Sequence, residues 1–164
     1  MNTIPTAIAA IVATLAARDP GATELLTTRG NVAAEASVKA AAGEHKFLGT
    51  DAAGRAALLT AWSFFESRWD ACAKGDSGRS IGIMQVNRVW GGSEKLLLCN
   101  VEGGIAAGMQ ILDRLAEHCG TPRKALTAYA TGRCVSTKTI DSMVEQRWAI
   151  AGLPKEALDK PVSK

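Results

Sequence analysis

Between Asp51 and Trp69 the apolar residues Leu58, Trp62, Phe65 and Trp69 recur three or four positions apart, the spacing of one face of a helix. No other stretch constrains the fold as tightly. Glu66 lies four residues after Trp62 and three before Trp69, so a helix here places a carboxyl among aromatic rings. A carboxyl in that position is either functional or paired. Thr50 or Asp51 supplies the side chain that caps the first free amides.

The rest of the chain points the same way. Its 164 residues suit one core, and the 47% hydrophobic fraction is rich in alanine, the strongest helix former. A mainly α fold is expected. Ile4, Ile8, Ile11 and Leu15 set a first amphipathic helix, stopped by Asp19-Pro20-Gly21. A short helix over 22–26, a break at Arg29-Gly30-Asn31 and a further helix from Val32 to Ala42 follow, with residues 44–50 as a loop. After the central helix, Gly75, Asp76, Ser77 and Gly78 mark a loop, and Ile81–Val86 reads as a strand or hairpin arm before a break at Gly91-Gly92. Helices are expected from Gly104 to His118, from Thr121-Pro122 to Gly132 and from Ile140 to Ala151. Gly108 permits close approach of a neighbour.

Several function classes recede on composition. The net charge of +3 comes from dispersed Lys and Arg, with no dense stripe for nucleic acid. Cys72, Cys99, Cys119 and Cys134 contain no C-x-x-C pair, so neither a zinc ribbon nor a redox motif is indicated, and no metal or other cofactor is expected. Four cysteines allow three full pairings or free buried thiols, and spacing does not choose among them. The apolar run from Ala7 to Ala17 is too short to span a bilayer, and no Lys or Arg precedes Arg18 as a secretory signal requires. It reads as a core helix, without stable membrane insertion.

Four blocks then fall in order: Glu66-Ser67, Gly82-Ile83-Met84-Gln85, Gly108 to Leu112, and Ala128-Tyr129-Ala130-Thr131-Gly132. Over roughly residues 55–150 they resemble the soluble lytic transglycosylases, in the family that also contains goose-type lysozymes. That family shows E-S at the end of a buried helix, then G-[LI]-M-Q, then a glycine-bearing helix and an A-Y-N-A-G-like block. Ala130 stands where the family carries Asn, Gly104-Ile105 replaces an Asn-Ile pair, and Arg79-Ser80 precedes the G-I-M-Q block.

The resemblance implies a lysozyme-like helical domain with a short β-hairpin or extended segment near residues 78–90. On this reading residues 1–50 form an N-terminal helical segment on the core, 51–153 the catalytic unit and 154–164 a frayed tail. It implies cleavage of the β-1,4 bond between N-acetylmuramic acid and N-acetylglucosamine of peptidoglycan, with a 1,6-anhydro product. Goose-type hydrolysis or a catalytically silent wall-binding module of a phage or secretion apparatus are the alternatives. Glu66 becomes the general acid and then base, its pKa raised by Trp62, Phe65 and Trp69. The substrate's acetamido group replaces a second carboxylate.

Gln85, Tyr129, Ser80, Ile81 and Met84 become the substrate-binding residues. Trp90 is a rim aromatic, Ser67 a structural hydroxyl, and Asp70 and Asp76 solvated turn acids. The expected partner is the glycan strand, and the expected state a monomer. Action is expected in the periplasm or cell wall, with export by a holin, a secretion system or a phage particle.

Overall fold

The computed structural model describes residues 4–43, 45, 51–90 and 93–162. Thr50, the 44–50 loop apart from His45, and the Gly91-Gly92 break lie outside the described residues. Helix α1 runs Thr6–Ala16 and buries Ile8, Ile11, Val12 and Leu15, the face set by its apolar spacing. Its neighbour α2 is one uninterrupted helix, Thr23–Ala41, so the expected break at Gly30 is corrected. A side chain at Gly30 would meet Val12 Cγ1 at 2.6 Å and Trp69 Cζ3 at 2.8 Å. The glycine is there for helix–helix approach, and packing outweighs its cost of about 1 kcal/mol in helix propensity.

Helix α3, Ala52–Ser67, is the axis of the molecule. Asp51 accepts from the Gly54 amide at its start, and every residue from Ala56 to Phe64 is buried. It is packed by α1, by α2, by α5 (Val101–Cys119) and by α7 (Lys138–Ile150). The helix ends two residues before the expected Trp69. Arg68 (φ 56°) and Trp69 (φ 58°) are both left-handed. That turn carries the Trp69 ring to Phe64, 4.8 Å between centroids, and to the Gly30 notch, while its Nε1 donates to Thr60 O. Trp69 therefore does not share the face of Glu66, because the helical register stops before it.

A three-stranded antiparallel sheet follows, in the order β1 (Lys74–Gly75), β2 (Ser80–Ile81), β3 (Val86–Asn87). Ser67 Oγ ties the end of α3 to this sheet by donating to Ile83 O at 2.8 Å. A short α4, Glu94–Leu97, leads into α5. Gly108 on α5 faces Met84, whose Cε would lie 2.6 Å from an added Cβ, so the expected close approach is realised. Helix α6, Pro122–Thr131, is capped by Thr121 and closed by left-handed Gly132. Two disulfides, Cys72–Cys99 and Cys119–Cys134, pin the loop before β1 to the turn between α4 and α5 and the end of α5 to the loop after α6.

The expected fraying after Pro154 is also corrected. Leu158 is fully buried, its carbonyl accepts from Arg123 N, and Val162 N donates to Gly120 O. Arg123 holds Asp159 with a two-pronged contact at 2.7 and 2.9 Å and reaches Glu145 on α7 at 3.0 Å. Leu158 and its neighbour Ala157, Val162 and a guanidinium fork fasten an otherwise polar segment. Trp148 Nε1 adds a bond to Pro154 O, so the tail braces α7. Among the described residues, no helix is long and apolar enough to cross a membrane.

Candidate active site

A cleft of about 620 Å³ opens between the sheet, the last turn of α3 and the end of α6. Glu66, Asp76, Ser80, Gln85, Trp90 and Tyr129 are among its lining residues. The last turn of α3 delivers Glu66 because its opposite face is locked in the core. The turn at left-handed Gly82 and Gln85 delivers the facing wall.

Glu66 is not a lone acid. Arg147 Nη1 on α7 donates to its Oε1 at 2.6 Å, with the two side chains only 10% and 19% exposed. The Arg147 guanidinium lies over the Trp62 ring at 4.4 Å and the Phe65 ring at 5.1 Å from their centroids. The aromatic rings expected to desolvate the carboxyl thus hold its cation as well. Burial raises the Glu66 pKa above its ordinary value; Arg147 pulls it down by charge and hydrogen bond, Asp76 pushes it up, and burial prevails. Trp62 Nε1 is buried and reaches no partner of good geometry, so its pull on the carboxyl is weak.

Tyr129 lines the cleft and meets Trp62 edge to face, 6.2 Å between centroids. Its hydroxyl donates to Met84 O at 2.8 Å, so its proton is committed to the backbone of the facing loop. Burial and the nearby Glu66 charge push its pKa well above the usual phenol value, which keeps it neutral. Gln85 also lines the cleft, yet its Nε2 donates to Gly82 O at 2.9 Å and Ala73 O at 3.3 Å. That amide braces the loop, and the contact explains why Gln85 tolerates a left-handed φ of 48°.

Ser80 reaches the cleft and donates to Asp76 Oδ2 at 2.5 Å. Ile81 and Met84 do not line it: they are 1% and 0% exposed. Ile81 lies in the central strand, with both neighbours already paired to its backbone, and Met84 fills the space over Gly108. Two functional candidates were missed or misplaced from sequence. Asp76, read as a turn acid, stands in the cleft wall. Arg147 lies 81 residues from Glu66, and no local signal in the sequence pairs the two. Ala130, in place of the family's Asn, also faces the cleft, so that position presents only a methyl group.

A buried carboxyl held in one orientation beside an open groove can exchange a proton with a bound oxygen, and a second acid across the groove can oppose developing positive charge. A family model, the transglycosylase SLT domain, matches residues 50–147, which takes in both Glu66 and Arg147. Neither a curated protein nor a solved structure matches the chain. Domains of the matched family act on peptidoglycan, and the mainly α architecture with its small antiparallel sheet agrees with them. With more than half of its length covered, the chain belongs to the transglycosylase SLT domain family.

Proposed function

We propose that this protein is a lytic transglycosylase that cuts the β-1,4 bond between N-acetylmuramic acid and N-acetylglucosamine and leaves a 1,6-anhydro end, acting in the cell wall. The observation that carries the reading is the buried Glu66 carboxyl on the cleft, with its pKa raised by burial, in a chain of this family. Arg147 fixes the orientation of Glu66 and favours its charged form in the empty cleft. A glycan filling the groove removes the remaining water from Glu66, which strengthens the influence that favours protonation.

Protonated Glu66 then donates to the bridging oxygen as that bond breaks, and the acetamido oxygen meets the positive charge at the anomeric carbon. The resulting carboxylate takes the proton of the sugar's 6-hydroxyl as that oxygen closes on the anomeric carbon, so the acid is regenerated and no water is consumed. Asp76, oriented by Ser80, adds negative charge along the same groove. Tyr129 and Gln85 hold the facing loop in place through Met84, Gly82 and Ala73.

One observation favours a second reading, a wall-binding module without turnover: the guanidinium at 2.6 Å opposes the protonated state that a general acid needs. Mass analysis of products from purified sacculi separates the readings. Anhydro-muropeptides support the proposal, products heavier by one water indicate hydrolysis, and bound but uncut strands indicate the module.

A further inference from the structure

Beside the cleft lies a second pocket of about 400 Å³, and the two share Trp90 and Gly132 as lining residues, so they adjoin. Their chemistry is opposite. The cleft is lined by the acids Glu66 and Asp76 and by no Lys or Arg. The second pocket is lined by Arg114, His118 and Arg133 and by no Asp or Glu. Arg114 and His118 stand one helical turn apart on α5, and Arg133 enters from the loop after α6. The Cys119–Cys134 disulfide joins that loop to the end of α5 and fixes the two cationic walls relative to each other. Buried Leu115 and Ala128 supply an apolar floor. Arg29, Arg68, Arg88, Arg123 and Arg147 each meet an acid, whereas Arg114 and Arg133, like Arg18 and Arg79, make no ion pair among the described residues.

We infer that this pocket is a subsite for the carboxylate-bearing peptide attached to the glycan strand. The inference rests on the glycan reading of the cleft. In a peptide-bearing strand the lactyl carboxyl of alternate sugars is tied up as an amide, so the strand's anionic groups are the free carboxylates of the peptides it carries. A strand lying in the cleft brings one of those peptides to the Trp90–Gly132 boundary, where guanidinium forks meet carboxylates and the apolar floor meets short aliphatic side chains. The peptide thereby sets which sugar stands over Glu66.

The test compares soluble glycan strands that carry their peptides with the same strands after enzymatic removal of the peptides and conversion of the lactyl carboxylates so exposed to methylamides, which leaves the sugar chain uncharged. The wild type is expected to show a KM roughly three- to tenfold lower on peptide-bearing strands, the scale of two exposed charge contacts. Arg114→Gln/Arg133→Gln is expected to erase that difference without changing KM on peptide-free strands. Equal KM values for the wild type on both substrates overturn the inference, as does an equal loss on both in the variant.

A second measurement does not need turnover: calorimetric titration of the Glu66→Gln protein with a peptide-bearing disaccharide. Binding weakened by the double substitution supports the subsite, and unchanged binding overturns it. Absence of cleavage by the wild type on either substrate bears instead on the proposed function.

Discussion

Replacing Arg147 by Met removes the cation from Glu66 while keeping a flexible apolar stem over Trp62 and Phe65. Breaking a buried ion pair by deleting one partner costs about 3–5 kcal/mol when burial is complete. Here the side chains are 10% and 19% exposed, so about 2–3 kcal/mol is expected at pH 7. Loss of the cation over the rings adds about 1 kcal/mol that does not depend on pH.

The sign follows from Glu66. Its folded pKa is raised, so the folded state binds this proton more tightly than the unfolded chain does. The stability from that proton is complete below the unfolded value and is lost as pH rises through the folded one. Arg147 acts against this rise, so removing it lifts the folded pKa further and makes the charged form more costly at neutral pH. Thermal unfolding of variant and wild type at pH 7 and at pH 4 reads the effect. A Tm loss of about 6–16 °C is expected at pH 7 and about 2–4 °C at pH 4 for a chain of this size. The alkaline limb of the activity profile is expected to move to higher pH in the variant. An equal Tm loss at both pH values would show that Arg147 does not hold the Glu66 charge, and the reasoning would fail.

Asp76→Asn keeps the Ser80 contact and removes a charge from the cleft, so kcat is expected to fall on the order of 10²-fold, the scale of one transition-state electrostatic contact, with unchanged unfolding; unchanged kcat makes Asp76 a turn acid after all. Gly82→Ala combines a φ of 76° with a Cβ 2.4 Å from Leu97 O, and about 3 kcal/mol of destabilisation is expected by urea unfolding. Gly78→Ala, at φ 82° but with nothing within 4 Å, is expected to cost only about 1–2 kcal/mol, so equal losses would refute the close contact at Leu97. Removing the Cys119–Cys134 bridge as a Ser pair opens a 15-residue separation and is expected to cost about 3 kcal/mol in the same assay.

Much of the helical frame was legible because local signals agreed with the packing. Asp51, Thr121 and Gly132 cap the helices they were expected to cap, and Val144 and Trp148 face inward on α7 as their spacing required. Where local and tertiary demands diverge, sequence reasoning failed. Gly30 reads as a breaker until the Val12 methyl and the Trp69 ring are known to occupy the space of its missing Cβ. Trp69 fits the helical period but falls beyond the left-handed turn at Arg68.

The candidate site shows the same division. Glu66, Gln85, Ser80 and Tyr129 come together at one cleft because short motifs place them on a helix end, a hairpin and a neighbouring helix. Arg147 was invisible because nothing in local spacing reports a contact between α3 and α7, and Leu158 because Ala157, Leu158 and Val162 in a polar tail set no period.

The most direct test of the account is turnover of purified sacculi by Glu66→Gln against wild type, with matched unfolding curves for the two proteins. The account predicts a loss of roughly 10²–10⁴-fold in muropeptide release, since glutamine keeps the shape and the Arg147 contact but has no proton to give. Release at the wild-type rate by the folded variant would contradict it.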